Sequence, residues 1–284
     1  MNRKVILLCW FISVFLLESC VSSKKMHWPT DLTQKGSTYY QQAAGYNWKQ
    51  RDSLTKVIVL QGGLPEFLRR FVPVQSTWRD TATGNKIKLT YYVSPDYLAV
   101  GENTDWARVH ITPFLAQELA DSLHCFLPTR KMVDQIYQAA KVKLSPVPLY
   151  AFRDSTPTFY HHHLIVEGQR KGQQGLIAGI QKDIVTTDKL SAHPKKDRVA
   201  IYGWHQLNGK PIQPLYTGHV YWYVDYSQGV RLIYEQMRVN GRWVHYSQVF
   251  ANEKLKNLIC DESACGNGRY PVPAYYIKGS PREY

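Results

Sequence analysis

The residues best placed to do covalent chemistry are one thiol and a late group of imidazoles, phenols and a carboxylate. Cys125 lies in the short stretch Cys125-Phe126-Leu127-Pro128 ahead of Thr129, a residue type that caps helices. A thiol near a helix start feels the partial positive charge of unpaired backbone N–H groups, which favours the nucleophilic thiolate. His124 and Arg130 are cations close by in sequence. His205 ends the apolar stretch 199–205, and His219 opens the run His219-Val220-Tyr221-Trp222-Tyr223-Val224-Asp225. If that run is a strand, alternation puts His219, Tyr221, Tyr223 and Asp225 on one face as the polar floor of a cleft. Two chemistries follow. Cys125 could attack a carbonyl, with His205 or His219 moving the proton and Asp225 or Gln213 orienting the imidazole. Alternatively His219, Tyr223 and Asp225 could act on a glycan, with Arg231 neutralising a uronate and Trp204, Gln213 and Tyr221 contacting substrate. A third reading is a non-catalytic polymer-binding protein in which these side chains only hold ligand.

Other clusters carry less. On a helix His163 and Glu167 of the run His161-His162-His163 would share a face at i,i+4, but paired metal-ligand motifs do not accompany them. Asp96, Glu102 and Asp105 could bring acids to a cleft, with no spacing that identifies a glycosidase pair. The expectation is therefore no metal and no cofactor. Dinucleotide fingerprints, phosphate-binding loops and nucleophile-elbow serines do not occur in the sequence, which argues against nucleotide-driven and α/β-hydrolase chemistry.

The elements that must hold these residues are readable in part. Thr112-Pro113 is a cap followed by proline at the first helical position, and Leu115, Ala116, Leu119, Ala120 and Leu123 form an apolar stripe behind it. Thr129 caps a second stripe of Met132, Val133, Ile136, Tyr137 and Ala140. Residues 52–60, 64–71, 159–170 and 248–259 are further helical candidates. Strand signals cover 71–78, 86–93 and 107–111, then dominate from Gly175 onward, where Asn240-Gly241 between 237–239 and 242–245 marks a type I′ hairpin. Helices clustered between strand-rich halves predict an α+β fold, with a mixed or antiparallel sheet around a central helical cluster.

The beginning of the chain reads as an export signal. Met1-Asn2-Arg3-Lys4 precedes a short apolar run to Leu17, too short for a relaxed membrane span. Leu17-Glu18-Ser19-Cys20 resembles a bacterial lipobox, which would make Cys20 the lipidated first residue of a lipoprotein, anchored to a membrane in the periplasm or at the cell surface. The organisation expected is a signal peptide over 1–19, a polar tether over 20–49, one α+β domain over 50–265 and an irregular tail over 266–284. In an oxidising compartment Cys260 and Cys265 can close a small disulfide loop. The formal net charge of +13 favours an anionic cell-wall or extracellular polymer as partner. Dispersed basic residues without a nucleic-acid motif place nucleic acid low.

Two resemblances add to this reading. Ser94-Pro95-Asp96-Tyr97-Leu98-Ala99, the run from Leu127 to Asp134, the run from Val199 to His205, and Asp225-Tyr226-Ser227-Gln228-Gly229-Val230-Arg231-Leu232 resemble strings of a recurrent family of secreted bacterial proteins. That resemblance brings no activity with it. Lys182-Asp183-Ile184-Val185 followed by Arg198-Val199-Ala200-Ile201-Tyr202 is similar to strands of the NlpC/P60 and related papain-like cell-wall amidases. It implies hydrolysis of an amide bond in peptidoglycan-like material by Cys125. Arg198 stands where that family has its base histidine, so the base would have to be His205 or His219.

Overall fold

The computed structural model describes residues 22–79, 83–263 and 265–277. The expected export signal, Cys9 and the expected lipidation site Cys20 lie outside the described residues. Within them the chain forms the expected α+β fold, a single domain with open antiparallel and mixed sheets.

The larger sheet is built on the long hairpin Arg70–Arg79 and Lys86–Val93. Ile233–Tyr234 pairs with the end of the second strand and with Cys125–Phe126, while Gln236–Val239 pairs with Leu89 and Thr90 and folds back on Arg242–His245. Asn240 and Gly241 close that hairpin with φ of 49° and 86°, the left-handed pair that a type I′ turn requires. The smaller sheet runs Pro211–Tyr216, Ile201–His205, Lys182–Ile184, Gln228–Gly229, the last pair parallel.

Of helices α1 (Gly36–Gln42), α2 (Trp48–Leu60), α3 (Pro113–Ser122), α4 (Arg130–Ala139) and α5 (Thr156–Arg170), α4 packs against both sheets, while α1, α2 and α5 contact a separate hairpin of Ala99–Glu102 and Asp105–Arg108. Their starts are chemically explicit. Thr112 and Thr129 accept from Leu115 N and Met132 N, as their sequence positions predict, and Ser155 does the same from Thr158 N. Helix α2 begins earlier than its apolar pattern, because Asn47 and Gln50 form a capping box. The expected helix over 248–259 is split into α6 (Tyr246–Ala251) and the 3₁₀ turn Lys256–Leu258. Asn252 turns extended between them, and its side chain accepts from Lys254 N and Leu255 N.

The segment expected as a tether is part of the body. Met26, Trp28, Tyr39 and Tyr40 are buried, Trp28 Nε1 donates to Leu123 O, and Lys24–Lys25 adds a short strand to the large sheet. Hydrophobic burial outweighs the polar composition, because these few aromatic rings each cover large apolar areas. The tail is likewise attached: Tyr270 is buried between Ala200 N and Arg198 O before α7 (Ala274–Ile277).

Candidate functional site

The run from His219 is not a strand. An isolated bridge, Arg198 to Val220, and the bonds from Val199 N to His219 O and from Tyr221 N to Asp197 O fix its start, and a turn from Tyr223 N to Val220 O follows. Alternation therefore fails. Tyr221 is buried and stacked on Phe114 with ring centroids 4.3 Å apart, so it is a core residue and not a substrate contact. His219 and Tyr223 remain together in a loop, half-buried, with ring centroids 4.9 Å apart.

Asp225 anchors this loop. Its Oδ1 accepts from Ser227 N at 2.9 Å and Ser227 Oγ at 2.6 Å, and its Oδ2 faces Arg153 at 2.9 Å and Lys182 Nζ at 3.7 Å. Burial pushes the carboxyl up, but Lys182, Ser227 and Arg153 outweigh it and hold Asp225 below the usual carboxylate range. Burial lowers Lys182, against the raising effect of Asp225. The Lys182 ammonium lies 5.4 Å from the Trp204 ring centroid, a cation–π geometry. Trp204 reaches it through a kink: its φ of 57° is left-handed in the middle of a strand, a rare and costly backbone state for a bulky residue.

The electrostatics leave a neutral acid and base next to a partly exposed guanidinium. Burial lowers His219, so its imidazole is neutral near pH 7. Burial and then the charge of Asp225 raise Tyr223, so its phenol keeps its proton. Arg153 and Lys182 carry two positive charges against one on Asp225, and Arg153 is the accessible one, with its side chain 40% exposed. Tyr223 and Trp222 also line a depression with Tyr46, Trp48, Arg51 and Asp154.

The other expected site residues lie elsewhere. Cys125 belongs to the large sheet and the apolar cluster containing Trp28, Leu119, Leu123 and Leu127. It is 3% exposed, its sulfur donates to Leu123 O, and burial, aided by the Glu235 charge, raises the thiol well above its ordinary value. The expected nucleophile is thus an inert core thiol, because the apolar cluster disfavours a thiolate more than the start of α4 can favour it. His205 is inside a strand of the smaller sheet, its Nε2 2.8 Å from Asp134 Oδ1 and its ring stacked on Tyr137. Asp134 also accepts from Tyr202 Oη. His205 therefore braces α4 against the smaller sheet and does not join His219.

Arg231 is fully buried, donating to Ser94 O and Ile177 O and lying 4.0 Å from the Tyr97 ring centroid, which removes it as a carboxylate-binding surface residue. Gln213 sits on the edge strand and donates to the neighbouring Pro214 O. Between His163 and Glu167 stands the Arg108 guanidinium, 3.2 Å from Nδ1 and 2.8 Å from Oε1. The face on which a metal was considered thus holds a cation of the protein itself, which also forms two bonds to Asp96. Among the described residues no group of three or more acidic, histidine or cysteine side chains is arranged for a metal ion. Cys260 and Cys265 form a disulfide.

Lys182, Arg153 and Ser227 were missed as site residues. Lys182 carried a signal: a lysine between Ile180 and Ile184 in a short β-rich stretch must find a counter-charge if the strand is buried. Comparison with protein-family models, curated proteins and solved structures gives no match.

Proposed function

We propose that this chain is an exported, lipid-anchored protein that cleaves an acidic glycan by β-elimination at the His219–Tyr223 pair. The observation that carries the reading is a neutral imidazole against a protonated phenol beside the partly exposed Arg153 guanidinium. Arg153, with Lys182 behind it, would hold the uronate carboxylate and stabilise the charge that builds there. His219 takes the proton α to that carboxylate. The freed electron pair forms the carbon–carbon double bond as the glycosidic C–O bond breaks, and Tyr223 gives its proton to the departing oxygen. Histidinium then returns a proton to the phenolate, so the protein is unchanged at the end of the cycle.

The thiol-dependent amidase reading has less support, because Cys125 is neither ionised nor accessible. The Cys260–Cys265 disulfide fits an oxidising, extracytoplasmic compartment.

The test is incubation of the purified chain with hyaluronan, unsulfated chondroitin, polygalacturonate and alginate while following the ultraviolet absorbance of unsaturated uronate. Turnover is expected on at least one polymer, with Tyr223→Phe and His219→Gln each lowering kcat by about 10²–10⁴. Binding without new absorbance would overturn elimination and leave a polymer-binding protein.

A further inference from the structure

The depression beside Tyr223 is one of four that share lining residues in series. It shares Trp48 with a second depression along α2, lined also by Lys49, Asp52, Lys56, Glu118 and Tyr276. The second shares Lys56, Glu118 and Tyr276 with a third, where Asp121, Arg269 and Val272 continue the wall. Val272 leads into a fourth, bounded by Phe114, Lys196, Asp197, Arg198 and Pro271. Trp48, Asp52 and Lys56 follow one another at i,i+4 on one face of α2, which alone gives a track of about 12 Å. The seam between α2 and α3 forms its floor, and the chain from Tyr270 to α7 closes the far side.

The lining chemistry selects an occupant. Aromatic rings line three of the four, with Tyr46, Trp48, Trp222 and Tyr223 in the first depression and Tyr276 in the next two. Charges nearly cancel: Lys49, Arg51, Lys56, Lys196, Arg198 and Arg269 face Asp52, Glu118, Asp121, Asp154 and Asp197. Lys56 is paired with Glu118 and Arg269 with Asp121. Asp52 is buried and bonded to Thr112, and desolvation raises its carboxyl to about 7. Such paired side chains offer donors and acceptors to hydroxyl groups and little net attraction for a row of like charges. Arg153 and Lys182 stand at the His219 end, around Asp225.

From this we infer that the groove binds a linear glycan over several sugar units, with acidic residues separated by neutral ones. The inference rests on the His219–Tyr223 reading for the identity of the cutting end. The groove itself is argued from its own lining.

The probes are unsulfated chondroitin oligosaccharides of increasing length, in which uronate alternates with a neutral sugar, and polygalacturonate oligomers, in which every unit is charged. Calorimetric titration of the full chain is expected to show affinity rising about tenfold or more from tetrasaccharide to dodecasaccharide for the alternating series, and less for the uniformly charged one. Tyr276→Ala is expected to abolish that gain while leaving tetrasaccharide binding within about twofold. Its ring touches the core, so the surface pair Lys56→Ala with Glu118→Ala is the second variant, expected to lose about fivefold on the dodecasaccharide alone. Affinity independent of length, or variants that bind the long chain like the parent, overturns the groove whether or not the protein has lyase activity. Stronger binding of polygalacturonate overturns the alternating-charge assignment. Length-dependent binding without turnover upholds the groove and removes the elimination mechanism.

Discussion

Lys182 Nζ lies 3.7 Å from Asp225 Oδ2, and both side chains are almost wholly shielded from water. Each charge is tolerable only because the other is present, with Arg153 and Ser227 completing the shell of Asp225. Removing one partner is therefore expected to cost far more than removing both.

Asp225→Ala should destabilise the fold by about 3–5 kcal/mol, since it strands a buried ammonium. Lys182→Met combined with Asp225→Leu should recover a good part of that loss. Urea unfolding of the three proteins measures the difference, and a single variant as stable as the parent would show the pair to be dispensable.

Cys125→Ala should cost about 1 kcal/mol from lost packing and leave glycan turnover unchanged. Native Cys125 should resist iodoacetamide and become reactive only in denaturant, as read by peptide mass. Rapid labelling of the folded chain would contradict the burial of this sulfur.

Acid should weaken the protein through two buried imidazoles. Burial holds His110 down to about 4 and, with added repulsion from His110 and Arg108, His162 down to about 3, against an ordinary value of 6.5. Both pKa values are lower in the folded state, so the unfolded chain binds protons first as pH falls below about 6.5, and stability declines from there toward pH 4. For His110 the loss amounts to about 3 kcal/mol by pH 4. Nε2 of each ring finds no hydrogen-bond partner among the described residues, so His162→Gln is tolerable near neutrality. Its stability between pH 6.5 and 4, from urea midpoints, should fall less steeply than the parent's; equal slopes would sink the assignment.

Gly241→Ala should lower stability by about 1 kcal/mol, although a Cβ there would meet nothing within 4 Å. The cost comes from the φ of 86° alone. Thermal unfolding should show a midpoint about 2–4 °C lower. An unchanged midpoint would mean that the turn relaxes to another type.

Local signals in the sequence were reliable where one residue satisfies its neighbours. Thr112 with Pro113, Thr129 before its apolar stripe, and Asn240-Gly241 each specify a backbone state within four residues, and each is found. The disulfide between Cys260 and Cys265 needed only five residues of separation in sequence. Long-range pairing is what the sequence concealed. Arg231 reads as a surface cation until Asp183, Ser94 and Ile177 arrive from distant segments to enclose it. The alternation at 219–225 suggested a strand, but the demands of Asp225 for Ser227, Arg153 and Lys182 hold that stretch as a loop. Of the candidate site, His219, Tyr223 and Asp225 were visible as residue types; their two cations were not.

The docking of Lys24–Lys25 against Arg70 and Phe71 bears on how the protein would sit in an envelope. In a chain lipidated at Cys20, the leash from acyl group to folded body would span about 14 Å at full stretch, since only four peptide units intervene. A globule moored that closely would not sweep through the surrounding matrix; its reach would be limited to polymer lying near the bilayer.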